Sequence, residues 1–277
     1  MIGVNTYGIS KLLKKDFDGT LKALAGAGVT SIEPCVIFPR AYGRIKRKLF
    51  KFGFSVVGLD GGNWFGIDAY DNVERVKELG LTVKSAHLAL ANDSADTLSR
   101  ATPYALEFAL VTGLKYFVVS LMADSPKVCE KFVPALKDFT EALGKIGVGV
   151  LYHNHDGEVK AVNGVSALDY LFDKLPELGL ELDVGWALYG GANPLDLMTK
   201  YADRIKILHF KDIKEGVTSR KHLFSAVGEG ALPLKDIIRA FKALNLGEYG
   251  YVIDQDASDG DLLRDVIIGV ENVRRLL

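Results

Sequence analysis

Cysteine is scarce in this chain, since Cys35 and Cys129 are the only two in 277 residues. Two cysteines far apart in sequence do not make the disulfide framework of a small secreted domain, and they indicate a reducing compartment. The N-terminus lacks the basic start and the apolar segment of a signal peptide. No apolar run approaches the roughly 18 residues of a membrane span. We therefore expect a cytoplasmic protein with no membrane partner.

An excess of charge of either sign is also missing, because 34 Lys and Arg oppose 35 Asp and Glu and the formal net charge is −1. Without a global basic field, affinity for nucleic acid would have to come from a local patch. The basic run at residues 44–48 is more typical of a solvated helix face than of such a patch. Nucleic acid is therefore not an expected partner, which argues against a nuclease.

The chain does contain a repeated alternation of short apolar runs and amphipathic stretches. Eight such units, each of about 30 residues, predict an α/β fold of the (β/α)8 TIM barrel type in one domain, residues 1–277. An open doubly wound sheet is the alternative, but no GxGxxG motif follows the first strand. The predicted strands cover residues 2–6, 29–33, 81–87, 114–120, 148–152, 179–184, 204–210 and 249–255. The predicted helices cover residues 11–27, 69–79, 93–112, 125–145, 165–174, 194–202, 234–244 and 259–277.

One long stretch interrupts this rhythm after the second predicted strand. We interpret residues 34–66 as an insertion, with a further strand at residues 54–59. Long insertions after barrel strands usually form lids or subunit contacts. The insertion is therefore the expected contact surface if the protein is a homo-oligomer.

Polar residues follow the predicted strands where a parallel barrel places its chemistry. The second strand ends at Glu33, the third at His87, and the fifth leads into His153, His155 and Glu158; Asp183 and Trp186, His209 and Lys211, and Asp254 and Asp256 follow on the last three strands. Side chains of this kind at one mouth are ligands for a divalent metal ion such as Mn, Mg, Zn or Co.

These residues differ in how strongly they indicate a site. His87 and Glu33 are equally consistent with hydrogen-bonded core residues. Asp183 and His209 lie within the apolar runs LELDVGW and ILHFKD, where an unpaired polar group would be costly to bury. They are the strongest metal-ligand candidates, although no short motif such as HExxH is present.

The segments YHNHDGE, LELDVGWALYGG, RIKILHFKD, VGEG and YVIDQD resemble the sugar phosphate isomerase/epimerase family of xylose isomerase-like TIM barrels, within the AP endonuclease 2 superfamily. The resemblance implies one divalent metal ion held by Glu, Asp, His and Glu from strands five to eight. Carried over, the ligands are Asp183, His209 and Asp254, with either His153 or Glu158 from the fifth strand. Both family glutamates are thus replaced here.

The resemblance also implies a sugar or sugar phosphate substrate and an isomerase or epimerase that removes a proton next to a carbonyl, giving an enediolate. A lyase or dehydratase of a keto-sugar or inosose and a non-catalytic sugar-binding protein remain alternatives. His155 is the expected general base, because an unperturbed histidine has a pKa of about 6.5. Glu158 and Asp254 are further catalytic candidates, and Lys211 is expected to stabilise an oxyanion. The expected substrate contacts are Glu33, His87, Trp64, Trp186 and Glu229; for Glu229, ordering of its loop is the alternative.

Overall fold

A computed structural model of the chain describes residues 1–36, 63–64, 67–88, 90, 95–217, 219, 222–246 and 250–277, without the side chains of residues 63–64 and 67–71. Its strands are β1 (Ile2–Asn5), β2 (Ser31–Glu33), β3 (Cys35–Val36), β4 (Asn63–Trp64), β5 (Ile67–Asp68), β6 (Thr82–Val83), β7 (Ser85–Leu88), β8 (Tyr116–Val119), β9 (Gly149–His153), β10 (Ala161–Val162), β11 (Val165–Ser166), β12 (Gly179–Asp183), β13 (Ile205–Phe210), β14 (Asp212–Ile213), β15 (Phe224–Ser225) and β16 (Tyr251–Ile253). Its helices are α1 (Thr6–Lys15), α2 (Phe17–Ala27), α3 (Ala69–Glu78), α4 (Ala95–Thr112), α5 (Pro126–Glu130), α6 (Val133–Gly144), α7 (Ala167–Lys174), α8 (Val184–Tyr189), α9 (Pro194–Lys200), α10 (Leu234–Ala243) and α11 (Leu262–Leu276).

The main sheet is a closed parallel barrel, as the sequence predicted. Its strand order is β3-β7-β8-β9-β12-β13-β16-β1-β2-β6. The second barrel strand is split into β2 and β3 at Pro34, and the third is split into β6 and β7 at Lys84. Because β2 pairs with β6 and β3 pairs with β7, the two ends of this order belong to neighbouring barrel strands and the ring closes. The (β/α)8 prediction is confirmed.

The helices pack their apolar stripes on the outside of the barrel. In α10, for example, the buried residues are Leu234, Ile237, Ile238 and Phe241, at the i, i+3, i+4 and i+7 spacing of one helical face. The prediction of one helix over residues 11–27 was wrong. The Asp16 side chain accepts a hydrogen bond from the Gly19 N–H and so starts α2 as a separate helix.

Other local elements also differ from the predictions. The predicted helix 125–145 consists of α5 and α6, and Pro134, which has no N–H, lies in the first turn of α6. The short helix α8 and three pairs of short strands were not predicted: β4–β5, β10–β11 and β14–β15. No described helix is long and apolar enough to cross a membrane.

An apolar layer inside the barrel forms the floor beneath the candidate site. Val118, Leu151, Ile207 and Val252 form this buried cluster. Two residues further along the same strands lie Ser120, His153, His209 and Asp254. Since residues i and i+2 of a strand share a face, the polar side chains lie directly above the apolar layer. The barrel strands therefore fix the positions of these four polar side chains.

The insertion predicted at residues 34–66 lies mostly outside the described residues, as does the strand predicted at 54–59. Its lid or oligomer role and the single-domain assignment over 1–277 stay predictions.

Candidate active site

Four side chains at the carboxyl ends of β9, β12, β13 and β16 place possible metal-ligand atoms near one another. We call these four side chains the outer set, with the atoms His153 Nε2, Asp183 Oδ2, His209 Nδ1 and Asp254 Oδ2. Asp183 Oδ2 lies 3.4 Å from His209 Nδ1 and 3.8 Å from His153 Nε2. His209 Nδ1 lies 3.7 Å from Asp254 Oδ2. An ion with ligand bonds of about 2.0–2.2 Å has neighbouring ligands about 3–3.5 Å apart. The spacing of the outer set is close to this.

The outer set also fits a divalent metal by its charge and by its unused acceptors. Glu33, Glu181, Asp183 and Asp254 are all buried at the barrel mouth. The buried Asp254 Oδ1 and Glu181 Oε2 have no hydrogen-bond partner among the described residues. Buried carboxylates are costly without a nearby cation, and a divalent ion would offset their charge.

Asn154, between the two histidines of the HNH segment, fixes the position of Asp183. Its side chain accepts a hydrogen bond from the Asp183 N–H at 3.0 Å and donates one to the Asp183 carbonyl at 3.1 Å. The Asp183 carboxylate is fixed further, because its Oδ1 accepts from the Trp186 N–H at 2.7 Å as the N-cap of α8. These bonds orient Oδ2 toward the other members of the outer set.

Beneath the outer set lies a second polar layer, the inner set: Glu33, His87 and Glu181. Glu181 Oε1 lies 2.6 Å from His87 Nε2 and 3.0 Å from His153 Nδ1. Glu33 Oε1 lies 3.3 Å from His87 Nε2 and accepts a hydrogen bond from Asn5 Nδ2 at 2.8 Å. The sequence analysis missed Glu181. The available signal was its i−2 relation to Asp183, which places both carboxylates on the same face of β12.

Burial and mutual charge separate the pKa values of these groups. Burial raises the pKa of Glu181 to about 7, and the neighbouring Glu33 carboxylate acts in the same direction. Burial would also raise the pKa of Glu33, but His87 and His209 hold it well below its usual range. Burial would lower the pKa of His209, but Glu181 and Asp183 raise it well above that of an ordinary histidine. His209 thus holds a proton where a metal ion would otherwise supply positive charge, whereas burial and the nearby His87 lower the pKa of His153 well below its usual value.

His155 lies on the cavity wall beside the outer set. Its Nδ1 is 3.1 Å from Ser120 Oγ, and its ring centroid is 5.6 Å from that of Trp186. Burial and the nearby Lys211 lower its pKa to about 3. The expectation of an ordinary histidine pKa was therefore wrong. The imidazole is neutral at neutral pH, so it can accept a proton, but it is a weaker base than expected.

Lys211 lies opposite two carboxylates, with Nζ 2.6 Å from Asp254 Oδ2 and 2.7 Å from Asp256 Oδ2. Burial opposes its charge, but Asp254 and Asp256 raise the pKa of Lys211 above its usual value. The ammonium also lies 5.1 Å from the Trp186 ring and 5.4 Å from the Phe224 ring. Lys211 is therefore a fixed positive charge.

His153, His155, Lys211 and Asp254 line a cavity of about 390 Å³, within the size range of small-molecule sites. Its wall has an apolar part and a polar part. The apolar part comprises Leu88, Leu90, Met122, Trp186 and Phe224, and the polar part includes His87, His155, Lys211, Asp254 and Asp256. A ligand with one C–H face and several hydroxyl groups matches this distribution.

Three predicted site residues are not brought into this arrangement. Glu158 is buried away from the outer set, and it accepts hydrogen bonds from the Ala123 N–H at 2.9 Å, the Tyr152 hydroxyl at 3.0 Å and the His155 N–H at 3.0 Å. Glu229 is exposed. The Trp64 side chain lies outside the described residues.

The turn that contains Glu229 is ordered by Asp212 instead. The Asp212 carboxylate accepts hydrogen bonds from the N–H groups of Gly228 at 2.9 Å, Gly230 at 3.0 Å and Leu232 at 3.0 Å. Asp212 is therefore occupied by this turn, and Lys211 pairs with Asp254 and Asp256.

Replacing Glu158 by Gln is expected to destabilise the protein by about 1–3 kcal/mol. The amide NH2 would replace one carboxylate oxygen, and the backbone N–H that donates to this oxygen would lose its acceptor. Urea unfolding measures this loss. Tyr152→Phe removes one of the three donors and leaves both carboxylate oxygens paired, so its expected loss is smaller. A Gln variant as stable as the wild type would contradict the expected structural role.

Comparison with known proteins gives a consistent family. Residues 21–265 match the family described as xylose isomerase-like TIM barrel. Inosose dehydratase of Lacticaseibacillus casei is 25% identical over 145 residues, covering 47% of this chain and 47% of that protein, so the chain spans about half the length of this curated relative. The structure of a sugar phosphate isomerase/epimerase from Parabacteroides distasonis has a TM-score of 0.74 at 21% identity, covering 97% of this chain and 91% of that chain. For 3-keto-D-glucoside 4-epimerase from E. coli the TM-score is 0.66 at 14% identity, with 99% and 98% covered. The chain belongs to the xylose isomerase-like TIM barrel family.

Proposed function

We propose that this protein is a divalent-metal-dependent isomerase or epimerase that acts on a sugar or keto-sugar by removing a proton next to a carbonyl. The observation that carries the proposal is the outer set: its Asp183, His209 and Asp254 offer ligand atoms within 4.8 Å of one another, and its His153 and Asp254 line the cavity together with His155 and Lys211. His153, Asp183, His209 and Asp254 would hold the metal. The bound metal would act as a Lewis acid that stabilises negative charge developing on the substrate carbonyl oxygen.

His155 is the proposed acceptor of the substrate proton. With Nδ1 as the donor to Ser120 Oγ at 3.1 Å, Nε2 carries the lone pair. The C–H electron pair of the substrate becomes the enediolate double bond as the proton passes to Nε2. Because its pKa is low, His155–H⁺ returns the proton readily. Return to the same carbon on the other face needs a second donor and gives an epimer, whereas return to the adjacent carbon gives an isomer.

Lys211 and Asp256 form the complementary part of the cavity. Lys211 stays protonated and donates hydrogen bonds to a substrate oxygen that gains negative charge. Burial raises the pKa of Asp256 above that of an ordinary aspartate. Asp256 can therefore carry a proton more readily than an exposed carboxyl, and it is the proposed second donor for epimerisation.

A lyase on the same site is the second candidate, favoured by the matching relative named inosose dehydratase. After the same proton abstraction, a hydroxyl on the next carbon would take a proton from His155–H⁺ or Asp256 and leave as water, while the electron pair of the enediolate forms the new carbon–carbon double bond. The carbonyl and the new double bond would then be conjugated. The first half of the reaction is common to both candidates, so the fate of the enediolate separates them.

Incubation with ketohexoses and keto-inositols in D2O tests the proposal. We expect deuterium to enter the position next to the carbonyl, exchange to stop after EDTA treatment, and exchange to return with Mn²⁺ or Co²⁺. NMR identifies an epimer or isomer, and ultraviolet absorbance identifies a conjugated lyase product. Thermal stabilisation by these sugars without exchange in the presence of metal would instead support a non-catalytic sugar-binding protein.

A further inference from the structure

Glu181 takes no part in the reaction proposed above, although it is wholly buried beneath the outer set and contacts two histidines. We infer that Glu181 is a positioning residue for the metal: it fixes the His153 imidazole so that Nε2, rather than Nδ1, is the ligand nitrogen. This inference rests on the proposed metal dependence and extends it to Glu181, whose carboxylate lies outside the outer set, in a second group with His87, His153 and His209.

The first step is the geometry of the His153 ring. Its Nδ1 lies 3.0 Å from Glu181 Oε1, whereas its Nε2 lies 3.8 Å from Asp183 Oδ2. In its ionised form Glu181 only accepts hydrogen bonds, so this contact places the proton of a neutral His153 ring on Nδ1. The lone pair of the neutral ring is then on Nε2, which belongs to the outer set. Carboxylates that accept from the second nitrogen of a ligand histidine fix its tautomer and increase its basicity.

The second step is that the sheet itself sets this contact. Glu181 on β12 pairs in register with His153 on β9. The contact therefore joins side chains of directly neighbouring residues on two barrel strands, and it does not depend on the conformation of a loop. A rigid support of this kind is what a metal ligand requires for a fixed orientation.

The third step is that the second imidazole of the outer set also lies between an outer and an inner carboxylate, although its Nε2 makes no hydrogen bond among the described residues. His209 Nδ1 lies 3.4 Å from Asp183 Oδ2, and its Nε2 lies 3.4 Å from Glu33 Oε1. Glu33 is itself fixed by hydrogen bonds from Asn5 and Ser85. Both histidines thus present one nitrogen to the outer set and the other to a buried inner carboxylate. The repetition on two strands indicates a support for metal ligands rather than an isolated charge pair.

The alternative is that Glu181 only balances the charge of His87, whose Nε2 is 2.6 Å away. The two roles differ in the histidine through which Glu181 affects metal affinity, which is His87 in the first case and His153 in the second. If Glu181 serves His87 alone, then removing the His87 imidazole should have the same effect on metal binding as removing the Glu181 charge. If Glu181 acts through His153, the His87 substitution should lower the metal affinity less than the loss of the Glu181 charge does, although the two rings are in contact with centroids 4.7 Å apart.

The test is Co²⁺ binding to the metal-free full-length protein, measured by calorimetry and by the visible absorption of the bound ion. Glu181→Gln is expected to raise the dissociation constant by about 10–100-fold, the usual effect of removing a supporting carboxylate, and to alter the Co²⁺ spectrum. Glu33→Gln is expected to act in the same direction. His87→Asn is expected to weaken Co²⁺ binding less than Glu181→Gln does, and the exposed Glu229→Gln is the control that is expected to bind Co²⁺ like the wild type.

Three results would overturn the inference. One is an unchanged dissociation constant and spectrum in a folded Glu181→Gln variant. Another is an equal loss of affinity in His87→Asn and Glu181→Gln. The third is a wild-type protein that binds no Co²⁺, which would also overturn the metal dependence. Weaker Co²⁺ binding by Glu181→Gln in a protein that turns over no sugar would support the inference while contradicting the proposed function.

Discussion

Replacing Asp183 by Asn is expected to abolish metal binding and turnover while leaving the fold intact. Its two carboxylate oxygens have separate roles: Oδ2 belongs to the outer set, and Oδ1 accepts from the Trp186 N–H at 2.7 Å. Asn is as good an N-cap as Asp, so the start of α8 is retained. The amide has no negative charge for the ion. The loss of affinity should therefore exceed the roughly 10–100-fold that a supporting group costs.

Calorimetry with Co²⁺ and the deuterium exchange assay measure the effect of Asp183→Asn, and circular dichroism checks its fold. Asp196→Asn is the matched control, because it makes the same change at an exposed position in the first turn of α9. Wild-type Co²⁺ affinity in the Asp183→Asn variant would exclude the outer set as the metal site.

Replacing Lys211 by Met is expected to cause the largest loss of stability, about 3–5 kcal/mol, because it leaves buried carboxylates without their cation. Only 3% of the Lys211 side chain is exposed, and it contacts both Asp254 and Asp256. Turnover should fall as well, since the proposed oxyanion partner is lost. Methionine keeps much of the side-chain length, so the change acts mainly through charge.

The stability loss in Lys211→Met should depend on pH. Burial raises the pKa of Asp256 and Lys211 lowers it, so removing Lys211 raises this pKa further above its unfolded-state value. Such a carboxyl contributes stability below its unfolded pKa, and that contribution is lost as the pH rises through the folded pKa. The variant should therefore be closer to the wild type at about pH 5 than at about pH 8.

Urea unfolding of the metal-free protein at both pH values measures this difference. Lys214→Met provides the control, because Lys214 also lies 2.7 Å from an aspartate, Asp259, but this pair is exposed. An exposed pair contributes little to stability, so this substitution should leave the unfolding midpoint unchanged. Equal losses in the two variants, or a Lys211→Met loss independent of pH, would refute the assignment of Lys211 as a buried counter-ion.

The barrel could be predicted from sequence because each unit carries its own local signal. The strand predicted at 179–184 and β12 (Gly179–Asp183) nearly coincide, since an apolar run bounded by a glycine indicates a buried strand. Even so, Glu181 was missed in the same segment. Asp183 was predicted because it lies at the end of its strand. Glu181 lies two residues earlier, so the two-residue period of a strand places it on the same face, one layer deeper.

The state of His155 could not be predicted from local sequence. Its pKa depends on burial and on Lys211, and its contacts come from Ser120 and Trp186. These residues are distant in the chain and meet only after the barrel closes. The boundary between α1 and α2 was missed for a different reason. The Asp16 cap that separates the two helices is a contact between residues close in sequence, but the residue type alone does not reveal it. Aspartate occurs at many helix positions, and the side-chain bond distinguishes this one.

The hydrogen bonds of Glu158 link two segments at the barrel mouth. One carboxylate contacts the backbone of Ala123, after β8, and the backbone of His155, after β9. Barrels of this class diversify by exchanging the loops that follow their strands. Here the segments after β8 and β9 should behave as a single exchangeable module, and a graft that replaces one of them would have to carry the other with it.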